Sequence, residues 1–347
     1  MTTVVSREAL AQDPNGLQFL AHSLGMLVAE PASMPSPTLT RGAAYALVAL
    51  SATPQPELAS QGAGALADLT PKPHLSAAFV EAGALPAVVR HIQNMARSEA
   101  NAVVTLARAL GVMVADNEAA RLAAVEAGGI KALGAALLGC SEVEGRLTLA
   151  LSLAKLARGD WGAAYEACGW PAILAVLNLG SEASGAIHLE VANGAATLMT
   201  TVVSREALAQ DPNGLQFLAH SLGMLVAEPA SMPSPTLTRG AAYALVALSA
   251  TPQPELASQG AGALADLTPK PHLSAAFVEA GALPAVVRHI QNMARSEANA
   301  VVTLARALGV MVADNEAARL AAVEAGGIKA LGAALLGCSE VEGRLTL

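Results

Sequence analysis

Apolar residues recur along this chain at the period of an α-helix, in stripes separated by glycine. Leu85, Val88, Val89 and Ile92 fall at i, i+3, i+4 and i+7, and Trp170, Ile173, Leu174 and Leu177 repeat that spacing. Ile130, Leu133 and Leu137 keep the same stripe, as do Leu17, Leu20 and Leu24. Such a stripe is the core-facing side of an amphipathic helix. The glycine before each one supplies a sharp turn. Pro86 and Pro171 stand near the helix start, where an N–H would have no helical partner. Another helix is expected after each of these. Ser141-Glu142-Val143-Glu144 fits a capping box, Ser98 and Ser181 are N-cap candidates at the same phase, and Ser36-Pro37 puts proline at the first helical position. Behind the caps run Leu106, Leu110 and Met113, then Leu149, Leu153 and Leu156. Segments 118–125 and 160–166 supply short first helices, so the unit reads as three helices.

The unit repeats. Val80-Glu81-Ala82-Gly83-Ala84-Leu85-Pro86 is matched by Val125-Glu126-Ala127-Gly128-Gly129-Ile130-Lys131 and by Tyr165-Glu166-Ala167-Cys168-Gly169-Trp170-Pro171. Gln12-Asp13-Pro14-Asn15-Gly16-Leu17-Gln18 is a weaker fourth version. The anchors Glu81, Glu126, Glu166 and Asp211 lie 45, 40 and 45 residues apart, with 68 more to Glu279. All-helical repeats of ~40–47 residues point to an α-solenoid of the HEAT or armadillo kind. A longer period is superimposed: residues 199–347 are identical to 1–149, and only 150–198 occurs once. Exposed positions normally drift, because substitutions there cost less than ~0.5 kcal/mol. Unbroken identity implies very recent duplication, homogenisation, engineering or an assembly error. The organisation expected is one all-α solenoid over 1–347, made of a 198-residue block and its truncated copy.

The 68-residue spacing contains an extra piece. Pro31, Pro35 and Pro37 on one side and Pro54 and Pro56 on the other bracket a helix at roughly 38–51. It reads as a third helix whose following unit lost its first two, giving inserted segments at 31–56 and 229–254. The Pro/Ser stretch itself reads as a loop and not as an SH3-type ligand. Both ends of the sequence fall inside repeats without a polar capping unit, which predicts a piece of a longer array or association-prone ends.

Composition narrows the function. Apolar residues make up 53% and charged residues 14%, which excludes intrinsic disorder. Mean hydropathy is +0.46, yet uncharged stretches such as 167–181 fall short of the ~20 apolar residues of a membrane span. The net charge of −8 argues against a nucleic-acid partner held by phosphate neutralisation. Cys140, Cys168 and Cys338 form no CxxC pair and nothing after Met1 resembles a secretory leader, so a reduced cytoplasmic setting is expected, with the nucleus as the alternative. Gly62-Ala63-Gly64-Ala65-Leu66-Ala67 reads as GxGxxA, but no strand precedes it, so close helix packing by small residues is the simpler cause. No GxxxxGK[ST], HExxH or GxSxG occurs. His22, His74, His91, their copies and His188 lie at no metal-pair spacing, so core or surface histidine is expected. No catalytic residue, metal or cofactor is predicted. Trp170 is assigned to packing, and Cys140 and Cys168 to small apolar fillers.

At Phe79-Val80-Glu81-Ala82-Gly83-Ala84-Leu85-Pro86, preceded by Gly64-Ala65-Leu66-Ala67-Asp68-Leu69, the chain resembles the armadillo-repeat family. The likeness runs through seven acidic–Gly anchors, from Asp13 to Glu324. It implies a right-handed superhelix whose third helices line a concave groove for peptides or proteins. In the importin-α and β-catenin branches an Asn near the end of each third helix clamps the peptide backbone. In importin-α a Trp one turn earlier packs the peptide's side chains. Aligned on Leu69, the Asn position is filled by Asp68, Val112, Lys155 and Leu198, with Ala49 in the extra helix. The Trp position is filled by Gly64, Arg108, Leu151 and Gly194, with Tyr45. That ladder is missing, which argues against a nuclear-import cargo adaptor. The groove expected is lined by Arg41, Tyr45, Gln61, Asp68, Thr105, Arg108 and Lys155, and in the second copy by Arg239, Tyr243, Gln259, Asp266, Thr303 and Arg306. Arg and Tyr dominate binding hot spots, so they are the expected anchors. The function expected is a non-enzymatic protein-interaction scaffold. End-to-end self-association is the alternative.

Overall fold

The computed structural model describes residues 13–29, 36–95, 100–183, 185–227, 234–293, 298–313 and 315–337. Among them there are twenty helices and no strand. In chain order they are α1 Pro14–Ala29, α2 Pro37–Ser51, α3 Pro56–Leu69, α4 Pro73–Glu81, α5 Ala84–Met95, α6 Ala100–Met113, α7 Glu118–Glu126, α8 Gly129–Gly139, α9 Val143–Ala157 and α10 Trp161–Ala183. Then come α11 Gly185–Met199, α12 Val202–Ala209, α13 Pro212–Ala227, α14 Pro235–Ser249, α15 Pro254–Leu267, α16 Pro271–Glu279, α17 Ala282–Met293, α18 Ala298–Val312, α19 Glu316–Glu324 and α20 Gly327–Gly337. The chain divides into two compact units, Met1–Val191 and Ala192–Leu347.

Within the first unit the repeats are built as their spacing predicts. A short helix turns sharply into a middle one, 88° between α4 and α5 and 73° between α7 and α8. Gly83 at φ 81° and Gly128 at φ 86° make these corners in the left-handed region, which a side chain disfavours. In α10 the same corner is Gly169, at φ 70°, so the element is a short and a middle helix joined across a kink, with Pro171 just after it. The apolar stripes turn mostly inward, with Leu20, Leu24 and Leu174 half-buried. Leu85, Val88, Val89 and Ile92 are buried, as are Leu106, Leu110 and Met113, and Leu149, Leu153 and Leu156. Middle helix packs on middle helix, α8 against α10, and long helix on long helix in the order α3, α6, α9. Each repeat therefore shields its apolar face with the next.

Several local expectations need correction. α9 begins at Val143 with Glu142 at the N-cap and no side-chain cap bond, so the capping box at Ser141 does not form. α10 runs through position 181 to Ala183, so that position lies within a helix and not at its N-terminus. Gly16 is not a corner: α1 already starts at Pro14, and the Gly16 N–H donates to Asp13 Oδ1 at 3.0 Å. Ser98 and Cys338 lie outside the described residues. Ser36 does cap α2, accepting from the Leu39 N–H at 3.3 Å, with Pro37 in the first turn. The GxGxxA segment lies wholly inside α3. A Cβ on Gly62 would sit 2.5 Å from the Ser51 nitrogen, so this glycine lets α3 close on α2. Trp170 is buried and meets the Tyr165 ring edge-on at 5.8 Å, a packing role. His91 is a satisfied core histidine: its Nε2–H donates to the Ser51 carbonyl at 2.6 Å, and His289 does the same to Ser249 at 2.7 Å. No single described helix is long and apolar enough to cross a membrane.

Candidate functional site

The extra helix decides where the first unit opens. α2 and α3 follow one another as a tight hairpin, so α1, a middle helix, lies beside α3, a long helix, with α2 beneath them. Gln18 Nε2 donates to Gln61 Oε1 at 2.6 Å near the start of the pair. At its far end Lys72 Nζ donates to the Ala29 carbonyl. Those links show that α1 and α3 run parallel, and eleven residues of helix between them set a cleft about 16 Å long. Its cavity measures about 310 Å³. Leu47 and Leu50 of α2 form the floor, Ala21, Gly25 and Ala65 line the walls, and Met26, His22 and Asp68 stand at the rim. Small residues on the facing helices leave the space that larger ones would fill. In the second unit α13, α14 and α15 build the same cleft from the same residues, with a cavity of about 280 Å³ and the Gln216–Gln259 bond at 2.7 Å.

The residues expected to share one groove are found in three places. Gln61 and Asp68, and Gln259 and Asp266, border the clefts. Thr105 and Arg108 on α6 and Lys155 on α9 continue along the packed long helices α3, α6 and α9, outside the cleft lining. Thr303 and Arg306 occupy the matching positions on α18. Arg41 and Tyr45 do not border the cleft. Arg41 pairs with Glu81 of the short helix α4 at 3.7 Å, and Arg239 with Glu279 at 3.1 Å. Arg205 of α12 lies 4.1 Å over the Tyr243 ring. Arg239 and Tyr243 therefore face the short helices, where Tyr243, Arg205, Glu206 and Ala280 line a separate recess. The cation–π contact and exposed ion pairs are worth about 1 kcal/mol or less apiece.

Sequence reading missed Gln18, His22 and Met26. α1 reads as an ordinary middle helix, and nothing in its own stripe shows that the shortened repeat brings α3 alongside. The only signal is the run of small residues at Ala21 and Gly25 opposite Ala65.

Titratable groups are held for structural reasons. Glu118 is lowered by its hydrogen bond to Arg121, at 2.6 Å, and Arg121 is raised by the same bond. Burial pushes the Cys168 thiol up to about 11, so it stays protonated and unreactive at neutral pH. Burial lowers His188. Among the described residues no three His, Cys, Asp or Glu converge as metal ligands would.

No protein-family model matches the sequence, and no curated protein matches it. Among solved structures the chain is similar to one described as a conserved phosphorylation switch controlling the interaction between cadherin and beta-catenin. The identity is 16% over 94% of this chain, with a TM-score of 0.51, and the match spans 63% of that chain's length. It is also similar to an engineered protein (22% identity, 98% of this chain and 96% of that one, TM-score 0.39). A designed armadillo repeat protein is a third (18% identity, 77% and 99%, TM-score 0.37). The cadherin/beta-catenin likeness shows the fold alone, an all-α, armadillo-like repeat fold.

Proposed function

We propose that the protein is a non-enzymatic interaction scaffold that binds a segment of a partner protein in the clefts over α2 and α14. The observation that carries this is the cleft itself, an apolar floor of Leu47 and Leu50 between polar ends, presented once in each unit. An apolar side chain of a peptide would enter between Ala21 and Ala65, with Gln61 and Asp68 as the polar groups that orient its backbone. Pockets of about this size and lining, mostly apolar with a few placed polar groups, are where ligands bind. The cadherin/beta-catenin neighbour, whose description names a protein partner, supports the same class of function. Arg108, Lys155 and Thr105 on the adjoining long helices would extend the contact beyond the cleft.

The test is a peptide-display selection on the full chain, compared with a variant carrying Ala65→Phe and Ala263→Phe. Both alanines are half-buried at the cleft wall, so phenylalanine fills the space without entering the core. The selected peptides should bind the parent chain and lose about tenfold or more on the variant, whose helicity stays unchanged. Peptides that bind both equally would place the site elsewhere.

A further inference from the structure

In the second unit α14 packs against two short helices, α12 before it and α16 after it. No short helix occurs between these two in the chain, and a recess of about 320 Å³ lies over α14. Arg205 and Glu206 of α12 form one wall, Ala280 just past α16 stands at the other, and Tyr243, Val246 and Ala250 of α14 make the floor.

The guanidinium of Arg205 lies 4.1 Å over the Tyr243 ring. Among the described residues it meets no carboxylate and no other side-chain acceptor. Arg239, one turn before Tyr243 on α14, is by contrast paired with Glu279 at 3.1 Å. Stacking occupies the face of the Arg205 guanidinium and leaves its N–H edge, a fork that a carboxylate meets with two parallel bonds. Arg205 is half-buried, so salt and water screen that edge less than they screen a free surface arginine. Glu206, exposed on the border of the recess, repels a doubly charged phosphate ester more than a single carboxylate. Around the charge the surface is apolar. Val246 and Ala250 lie beside it, and Val202, three residues before Arg205 on the same face of α12, is 57% exposed.

We infer that this recess is a second docking site, on the short-helix side of the repeats, for a partner segment carrying one Asp or Glu between apolar residues. The carboxylate takes the free edge of Arg205 above Tyr243. The apolar neighbours cover Val202 on one side and Val246 and Ala250 on the other. The site shares no residue with the cleft over α14 and stands whether or not the clefts bind.

The experiment is a peptide-display selection on the full chain carrying Ala65→Phe and Ala263→Phe, so that the clefts are filled and only other surfaces select. The selected peptides should share an Asp or Glu flanked by apolar residues, and changing that residue to Asn or Gln should weaken binding about tenfold or more. Arg205→Met, made together with Arg7→Met at the same position of the first copy, should weaken the peptides equally. Methionine still covers the tyrosine ring, so circular dichroism should not change. Glu206→Gln with Glu8→Gln should tighten binding severalfold, a gain that damage to the fold does not produce. Recovery of no peptide, or of peptides without an acidic residue, would overturn the inference. So would acidic peptides whose binding is indifferent to the Arg205 and Glu206 changes, since they would then be sitting on another surface.

Discussion

Gly62 and Gly64 are two residues apart on α3 and have opposite surroundings. A Cβ on Gly62 would lie 2.5 Å from the Ser51 nitrogen, whereas one on Gly64 meets nothing within 4 Å. Backbone atoms of a packed helix cannot step aside, so Gly62→Ala should destabilise by about 1–3 kcal/mol. Gly64→Ala should stabilise by about 0.5–1 kcal/mol through helix propensity. Urea unfolding of the two variants checks the pair; equal effects would remove the assignment of this motif to packing. A second residue-scale prediction concerns pH. Burial holds His188 below its ordinary value of 6.5, so the folded chain favours the neutral ring. Below pH 6.5 the unfolded chain takes up the proton more readily, and stability falls until the folded-state value is passed. The thermal midpoint should therefore drop between pH 7 and 5, and drop less in His188→Gln. A parallel loss in both chains would show that the ring is not responsible. At this scale the sequence was readable wherever a residue's role is set by its own helix. The stripe Leu85–Ile92 and the corner at Gly83 are of that kind. Gln18 and His22 were not readable, because their role depends on which helix arrives beside them.

The elements show the same division. The short, middle and long helices follow from apolar spacing and from glycine, and the Ser36-Pro37 start of α2 follows from cap chemistry. The helix ends at Ser141 and Gly16 did not follow. Val143 starts α9 with Glu142 at the N-cap making no side-chain cap bond, and Asp13 caps α1 three residues earlier than the glycine suggests. Cap signals lie within a few residues of one another, and helix ends are defined only to within a residue or two. The hairpin of α2 and α3 matters most for function. It places α1 parallel to α3 and opens the cleft, while Arg41, expected inside the groove, pairs with Glu81 of α4 and, in the second unit, Tyr243 lies under Arg205 of α12. Shortening the cleft's polar closure tests this arrangement. Gln18→Ala with Gln216→Ala should leave the fold intact, cost about 1 kcal/mol or less in stability because the bonds are exposed, and alter peptide selection at the cleft. Unchanged selection would show that this end of the cleft is not used.

Across the whole molecule, stability and open surface are set by which repeat lies next door, not by a repeat's own sequence. Residues 118–139 and 316–337 are identical, yet Ile130 is covered and Ile328 is not. Linear repeat arrays behave this way because each unit contacts only its neighbours. Sequence alone gave the repeat length and the helical class. It could not show that two copies of one segment would differ, since the difference lies in their surroundings. Hydrogen exchange read by mass spectrometry tests this most directly, because a peptic peptide from either copy has the same mass. The peptide 118–139/316–337 should show two equal isotope envelopes, one protected and one fast. The peptide 56–69/254–267, packed alike in both units, should show one. A single envelope for both peptides would contradict the account.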